Sequence, residues 1–162
     1  MAGLVAPPPV TDPAGATVAA DGWFPPVFLA AIRATVRLGE GVVTHDRLKA
    51  AIEGAILSAL RDLEDWQQLH QANGIAALAG VTSAQVAGRN KAELIWERAV
   101  RYYAAAELAD LHSDISATNE AIDRLEEKTL SADHYRRLAY AAIADLRSIG
   151  APKQLRGRVE LV

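Results

Sequence analysis

Four histidines and 20 acidic residues are the side chains from which this chain could build a metal site or an acid–base catalyst. The histidines are His45, His70, His112 and His134, and no two of them stand four residues apart. None has a glutamate three residues before it, so the Glu-x-x-His pairs of di-iron bundles and the His-Glu-x-x-His zinc motif are both missing. Because the sequence has no cysteine, thiolate ligands, thiolate nucleophiles and disulfides are excluded as well. We therefore predict no metal and no cofactor.

The remaining catalytic motifs are also missing. Carboxylates that share a helix face, such as Glu93 and Glu97, have Arg98 and Arg101 within a turn, which favours solvated ion pairs over acid–base catalysis. The Gly-Glu-Gly sequence at 39–41 lacks the third glycine and the preceding strand of a dinucleotide loop, and no Gly-x-Ser-x-Gly occurs. We predict that the protein is not an enzyme.

Composition and charge exclude further classes of protein. The 162 residues are 51% hydrophobic with a formal net charge of −3, which suits one domain with a core and argues against a protein that wraps nucleic acid. The sequence contains no run of eighteen apolar residues, so no membrane span is predicted. No basic residue precedes Arg33, so we expect no secretory signal. Tyr135-Arg136-Arg137 is a small basic-aromatic cluster, but the tyrosine belongs to an apolar helix stripe, and sequence-specific DNA binding is not expected.

Apolar periodicity predicts an all-α fold, a four-helix adaptor-like bundle. The expected helices span about 26–38, 45–71 and 90–113, with a fourth from a break at 116–119 to about 149. Thr44 is the expected N-cap of the second helix. The expected buried positions are Phe28, Leu29, Ile32 and Val36 in the first helix, Leu48, Ile52, Ala55, Ile56, Ala59, Leu63 and Trp66 in the second, Ile95, Ala99, Tyr102, Ala106 and Ala109 in the third, and Tyr135, Leu138, Ala142, Leu146 and Ile149 in the fourth. Residues 75–87 read as a connection with one helical turn.

Both ends of the chain read as extended. Residues 1–21 hold four of the seven prolines, and they predict either a disordered tail or an arm laid on a neighbouring subunit through Leu4, Val5 and Val10. The helical domain would cover 22–150, where Gly150 precedes a proline that stops the helices. The tail at 151–162 alternates like a strand at its end, and no second strand is predicted inside the chain, so we expect it to pair with another chain.

Four segments together resemble a known family. They are Gly22-Trp23-Phe24-Pro25-Pro26 after a variable arm; Val43-Thr44 to Leu48 with Ala51-Ile52 and 63–66; Trp96-Glu97-Arg98-Ala99-Val100 with 104–108; and Tyr135-Arg136-Arg137 with Ile143, Leu146 and 158–161. Their order and spacing are similar to those of the phage head-completion proteins of the gpL type. The resemblance covers about residues 22–162, with little that aligns between about 113 and 130.

The resemblance implies a structural virion protein of the neck, between capsid and tail. It implies no catalytic residues, and it implies a head-to-tail adaptor that forms a ring, commonly of twelve copies, beneath the portal protein and presents a surface to the next neck or tail protein. DNA would pass through the ring without sequence-specific binding, and no membrane is involved.

Residue roles follow from that implied function as expectations. Portal binding is assigned to Arg156, Arg158, Val159, Leu161 and Val162. The subunit interface is assigned to Leu4, Val5, Val10, Trp23 and Phe24. The acidic run Glu120, Asp123, Glu126 and Glu127 could face the channel and repel DNA phosphates, or it could be a solvated helix face.

Two other classes stay open on the residues alone. A small oligomeric, DNA-associated regulatory helical protein would bind duplex DNA with a steep salt dependence. A metal-dependent helical enzyme would carry stoichiometric metal, which the missing ligand spacings oppose.

Overall fold

A computed structural model describes residues 12–36, 43–113 and 121–150, and within them the side chains of 112–113 and 121–131 are not described. Four α-helices make up most of this part of the chain: α1, Leu29–Thr35; α2, His45–Ala72; α3, Lys91–Ser113; and α4, Ala121–Arg147. The mainly helical prediction is therefore confirmed. Among the described residues, no helix combines the length and apolar character that crossing a bilayer requires.

Three long helices form the body of the fold, and α3 lies between the other two. Tyr102 and Tyr103 of α3 contact Tyr135 and Tyr140 of α4, and Tyr103 also reaches Asp62 of α2. The contacts Tyr103–Tyr140 and Asp110–Arg136 make α3 antiparallel to α4. The contacts Tyr103–Asp62 and Glu107–Gly54 make it antiparallel to α2, so α2 and α4 run in the same direction. The short helix α1 contacts α2, but with 7 residues it is too short to act as a fourth long helix of a bundle.

Helix α2 forms as its sequence predicts. The Thr44 hydroxyl accepts a hydrogen bond from the Arg47 amide at 3.3 Å, which satisfies one free donor of the first turn. Asp46 adds a negative charge at the positive end of the helix. Of the seven expected stripe positions all are buried except Trp66, which is half-buried.

The buried face of α3 is turned relative to the prediction. Ala99 and Ala106 are buried as expected, but Ile95, Tyr102 and Ala109 are only half-buried. The fully buried positions between them include Trp96, Val100 and Ala104. A single stripe assumes one packing partner, whereas α3 has a helix on each side and buries most of its circumference. In α4, Ala139 and Ile143 are buried beside the expected Ala142 and Leu146, while Tyr135, Leu138 and Ile149 are half-buried.

Short strands correct the expectation that the chain contains no paired strand. Strand β1, Thr17–Val18, pairs antiparallel with β2, Val27–Phe28. Residues 12–21, which the sequence assigns to an arm, thus contain a turn and a strand that pairs within its own chain. Because Val27 and Phe28 join this pair, α1 begins at Leu29 instead of about Pro26, and Phe28 is 50% exposed where burial was expected.

The connection between α2 and α3 contains more structure than predicted. A 3-10 helix, Leu78–Val81, supplies the expected helical turn. A hairpin follows, in which β3, Gln85–Val86, pairs with β4, Arg89–Asn90. Its two turn residues, Ala87 and Gly88, have φ of 51° and 76°, the positive values that a tight two-residue hairpin requires. Only Gly88 signalled this turn in the sequence.

The matched pair Phe24 and Phe28 tests this account of the core. Phe24 is 2% exposed and Phe28 is 50% exposed. Phe24→Ala should lower the free energy of unfolding by about 3–5 kcal/mol, because it leaves a cavity against Trp96. Phe28→Ala should cost about 1 kcal/mol or less, because its ring already contacts water. Urea denaturation followed by circular dichroism measures both, and equal costs would contradict the described packing.

Candidate interaction surfaces

An aromatic cluster anchors the segment that the sequence assigned to a subunit interface. The Phe24 ring stacks on Trp96 with centroids 4.2 Å apart and planes inclined by 23°. Trp23 meets Phe24 and Trp66 edge to face, at 4.8 and 5.8 Å. Trp23 and Phe24 are only 5% and 2% exposed within the single chain, so they are core residues here and offer little area to a neighbouring copy.

Hydrogen bonds hold this segment between α3 and the loop that follows α2. The Asp21 carboxylate accepts from the amides of Trp23 and Phe24 at 3.0 and 3.1 Å. The Trp23 indole donates to the carbonyl of Ile75 at 2.9 Å, and the Trp96 indole donates to that of Pro25 at 3.1 Å. The segment 21–25 therefore joins α3 to the loop that follows α2.

A buried carboxylate fixes the point at which the N-terminal arm enters the fold. Arg33 donates to both oxygens of Asp12, from Nε at 2.7 Å and from Nη2 at 2.9 Å, and His45 Nδ1 lies 3.0 Å from Oδ1. Arg33 also donates to the carbonyl of Val43 at 2.9 Å. The hydrogen bonds from Arg33 lower the pKa of Asp12 from its ordinary 3.8 and outweigh burial, which acts in the opposite direction.

The start of the C-terminal tail lies at the other end of α2. Gly150 has a φ of 80°, the left-handed conformation that ends many helices, and it follows the last turn of α4. A Cβ added there would lie 3.2 Å from Cε1 of His70, which is 9% exposed in the last turn of α2. The last described residue of the chain is thus fixed against the C-terminal end of α2.

The two described ends of the chain therefore leave the fold from opposite ends of α2. Asp12 contacts His45 in its first turn, and Gly150 lies against His70 in its last. A rise of about 1.5 Å per residue puts those two histidines about 37 Å apart along the helix. Segments that continue from these two points begin on opposite sides of the molecule.

A polar groove of about 310 Å³ runs between α2 and α4, with α3 as its floor. Its lining residues are Ser58 and Arg61 of α2, Tyr103, Ala106, Glu107 and Asp110 of α3, and Arg136 and Tyr140 of α4. Beside the groove, Arg147 of α4 donates directly to the backbone carbonyl of Asp62 in α2.

Two groups in the groove have raised pKa values. Burial, followed by the hydrogen bond that its hydroxyl donates to Asp62, raises the pKa of Tyr103 well above its ordinary 10.0. Burial and the nearby charge of Asp110 raise the pKa of Glu107 above 4.5. The Glu107 carboxylate lies against Gly54 of α2, where an added Cβ would overlap it.

The other predicted site residues fall outside what the structure describes. Leu4, Val5 and Val10 precede residue 12, and Glu120 lies between α3 and α4. Asp123, Glu126 and Glu127 lie on α4, where side chains are not described. The assigned portal-binding residues, Arg156, Arg158, Val159, Leu161 and Val162, follow residue 150. Within the described ranges, no group of three or more histidine, aspartate or glutamate side chains could hold a metal ion.

Sequence reasoning missed both Asp12 and the groove. For Asp12 the sequence did contain a signal, because Asp12 and Asp21 are the only charged residues before Arg33. In the structure each of these carboxylates accepts hydrogen bonds that hold its segment in place. The groove had no comparable signal, since its residues come from three helices and meet only when the helices pack.

The Asp12 contact generates a pH-dependent prediction. Because its pKa is lowered on folding, the ion pair stabilises the fold above about pH 4 and this contribution is lost as pH falls through the lowered pKa. Asp12→Asn should cost about 1–3 kcal/mol of unfolding free energy at pH 7 and much less at pH 2–3. The exposed Asp65→Asn is the control in urea denaturation at both pH values. A cost for Asp12→Asn that does not change with pH would contradict the ion pair.

Comparison with known proteins gives one match. The sequence model of the family described as phage head completion protein (GPL) matches residues 18–155, well over half of the chain. Neither curated proteins nor solved structures gave a match. The matched region begins at β1 and includes all four helices, so it contains the aromatic cluster, the groove and both ends of α2. This chain belongs to the phage head completion protein (GPL) family.

Proposed function

We propose that this protein is a head-to-tail adaptor, which forms a ring beneath the portal and provides the attachment surface for the next neck or tail protein. Membership of the head completion family supports a structural virion role. The observation that carries the finer proposal is that the two described chain ends leave from opposite ends of α2. An adaptor must contact one partner above it and another beside or below it, and this geometry directs one terminal segment to each.

The C-terminal tail is the proposed portal contact. Its end, Arg158-Val159-Glu160-Leu161-Val162, alternates between polar and apolar residues as a strand does. An added strand obtains its affinity from backbone hydrogen bonds, so it needs no pocket specific for one side chain. Arg156 and Arg158 would then add charged contacts beside the strand, and the aliphatic residues would face the portal.

The N-terminal arm is the proposed contact to the adjacent copy. Leu4, Val5 and Val10 are the apolar residues that it would bury there. Asp12, held by Arg33, would fix the direction in which the arm leaves the subunit. Since Trp23 and Phe24 are used in the core of the single chain, the arm supplies the proposed interface without them.

The acidic residues at the start of α4 have a proposed role in the channel. Glu120, Asp123, Glu126 and Glu127 would repel DNA phosphates if that part of the ring faced the DNA path. The duplex would then slide past the ring instead of binding to it.

Deletion of residues 153–162 tests the adaptor proposal. The helical circular dichroism and a cooperative unfolding transition should be retained, because every core residue in the described part of the chain lies before Gly150. Attachment to the portal should be lost. Light scattering of the full chain alone and with its portal should show a monomer or small oligomer that becomes a ring complex of high mass, and the truncated chain should not.

Deletion of residues 2–11 is the matched control, because it removes an arm of similar length from the other end. We expect it to weaken association between copies while the chain still binds the portal. Portal binding by the chain without residues 153–162 would overturn the tail assignment. Failure of the full chain to bind, together with salt-sensitive binding to duplex DNA, would favour the DNA-associated regulatory alternative.

A further inference from the structure

The groove between α2 and α4 contains a carboxylate that the described structure leaves without a cation. Of its charged residues, Arg136 pairs with Asp110 and with Asp133 on its own helix. Arg61 lies 3.5 Å from Asp62. Glu107 has neither an ion pair nor a hydrogen bond to any described residue. Among the described residues, Glu107 is therefore a negative charge with no cation beside it.

We propose that, in the free protein, the groove holds the chain's own C-terminal tail, with a basic residue of 153–158 facing Glu107. This docking would keep the tail on its own subunit in the free protein. The proposal concerns the protein before assembly, so it does not depend on the adaptor function.

Charge selects the occupant. The tail carries Lys153, Arg156 and Arg158 within six residues, whereas the arm at 1–11 has no lysine or arginine. A guanidinium in the groove would pair with the Glu107 carboxylate and offset the burial and Asp110 charge that raise its pKa. The exposed Leu57 and Tyr140, at 69% and 55%, offer apolar surface on the two helices that form its walls.

The length of the tail also suits this position. Tyr140 and Arg136 line the groove about 15 and 21 Å back along α4 from Gly150, at about 1.5 Å per residue. An extended chain advances about 3.3 Å per residue, so Arg156 and Arg158 lie up to about 20 and 26 Å from Gly150. The left-handed φ of Gly150 ends the helix and allows the chain to change direction there.

Trypsin cleavage of the full-length protein tests the docking, because all three tail cations are trypsin sites. Mass spectrometry would follow release of the tail at a low protease concentration and a micromolar protein concentration. Glu107→Gln should speed this cleavage about fivefold, since cleavage follows the population of undocked tails. Glu93→Gln, the same change about 21 Å away along α3, should leave the rate unchanged. Unchanged circular dichroism would show that each variant is folded, and equal cleavage of Glu107→Gln and wild type would overturn the proposal.

A disulfide test identifies which chain supplies the tail. Because the protein has no cysteine, Ser58→Cys and Val159→Cys introduce its only two thiols, which can join within one chain or between two chains. We expect a bond within one chain, seen as a monomer of unchanged mass with an altered tryptic map. The exposed Ser83→Cys with Val159→Cys is the control and should remain reduced. A disulfide-linked dimer, or equal bond formation in both pairs, would overturn docking on the same subunit.

Discussion

The stack of Phe24 on Trp96 is the contact on which the rest of the fold depends. It joins a segment from the start of the chain to α3, in the middle of the sequence. Both rings are buried, and their area is large compared with that of the small residues around them. Trp23 extends the cluster to Trp66 and, through the Ile75 carbonyl, to the loop after α2. The position of the N-terminal segment is therefore set by the core itself.

The central position of α3 explains both the packing and the charged groove. A helix with a partner on each side buries side chains around most of its circumference. This favours small residues such as the alanines at 104–106, which let α2 and α4 each approach α3 closely. Where α2 and α4 separate, the polar residues of α3 are left as the floor of an open groove. Gly54 allows Glu107 to lie directly against α2, because any larger residue would overlap the carboxylate.

The direction of the helices also determines where the chain ends begin. Since α2 and α4 are parallel, the end of α4 lies beside the end of α2, while Asp12 lies at the start of α2. With an even number of antiparallel long helices, the last helix would end beside the start of the first one. Three long helices instead place the two terminal segments about one helix length apart, the separation that a subunit between two different partners can use.

The sequence by itself determined the helical class, the bounds of α2 and α3 to within about one residue, the Thr44 cap and the absence of catalytic and thiolate motifs. These features depend on local periodicity and side-chain chemistry, which a sequence displays directly. The family resemblance was likewise readable from the order of short segments, and the family match confirms it. Tertiary structure alone decided that Trp96 is central, that Phe28 is exposed, and that Trp23 and Phe24 belong to the core. It also decided the Asp12–Arg33 pair and the groove around Glu107. These outcomes depend on which helices pack on both sides of α3 and which distant segments meet, and no periodicity within one segment contains that information.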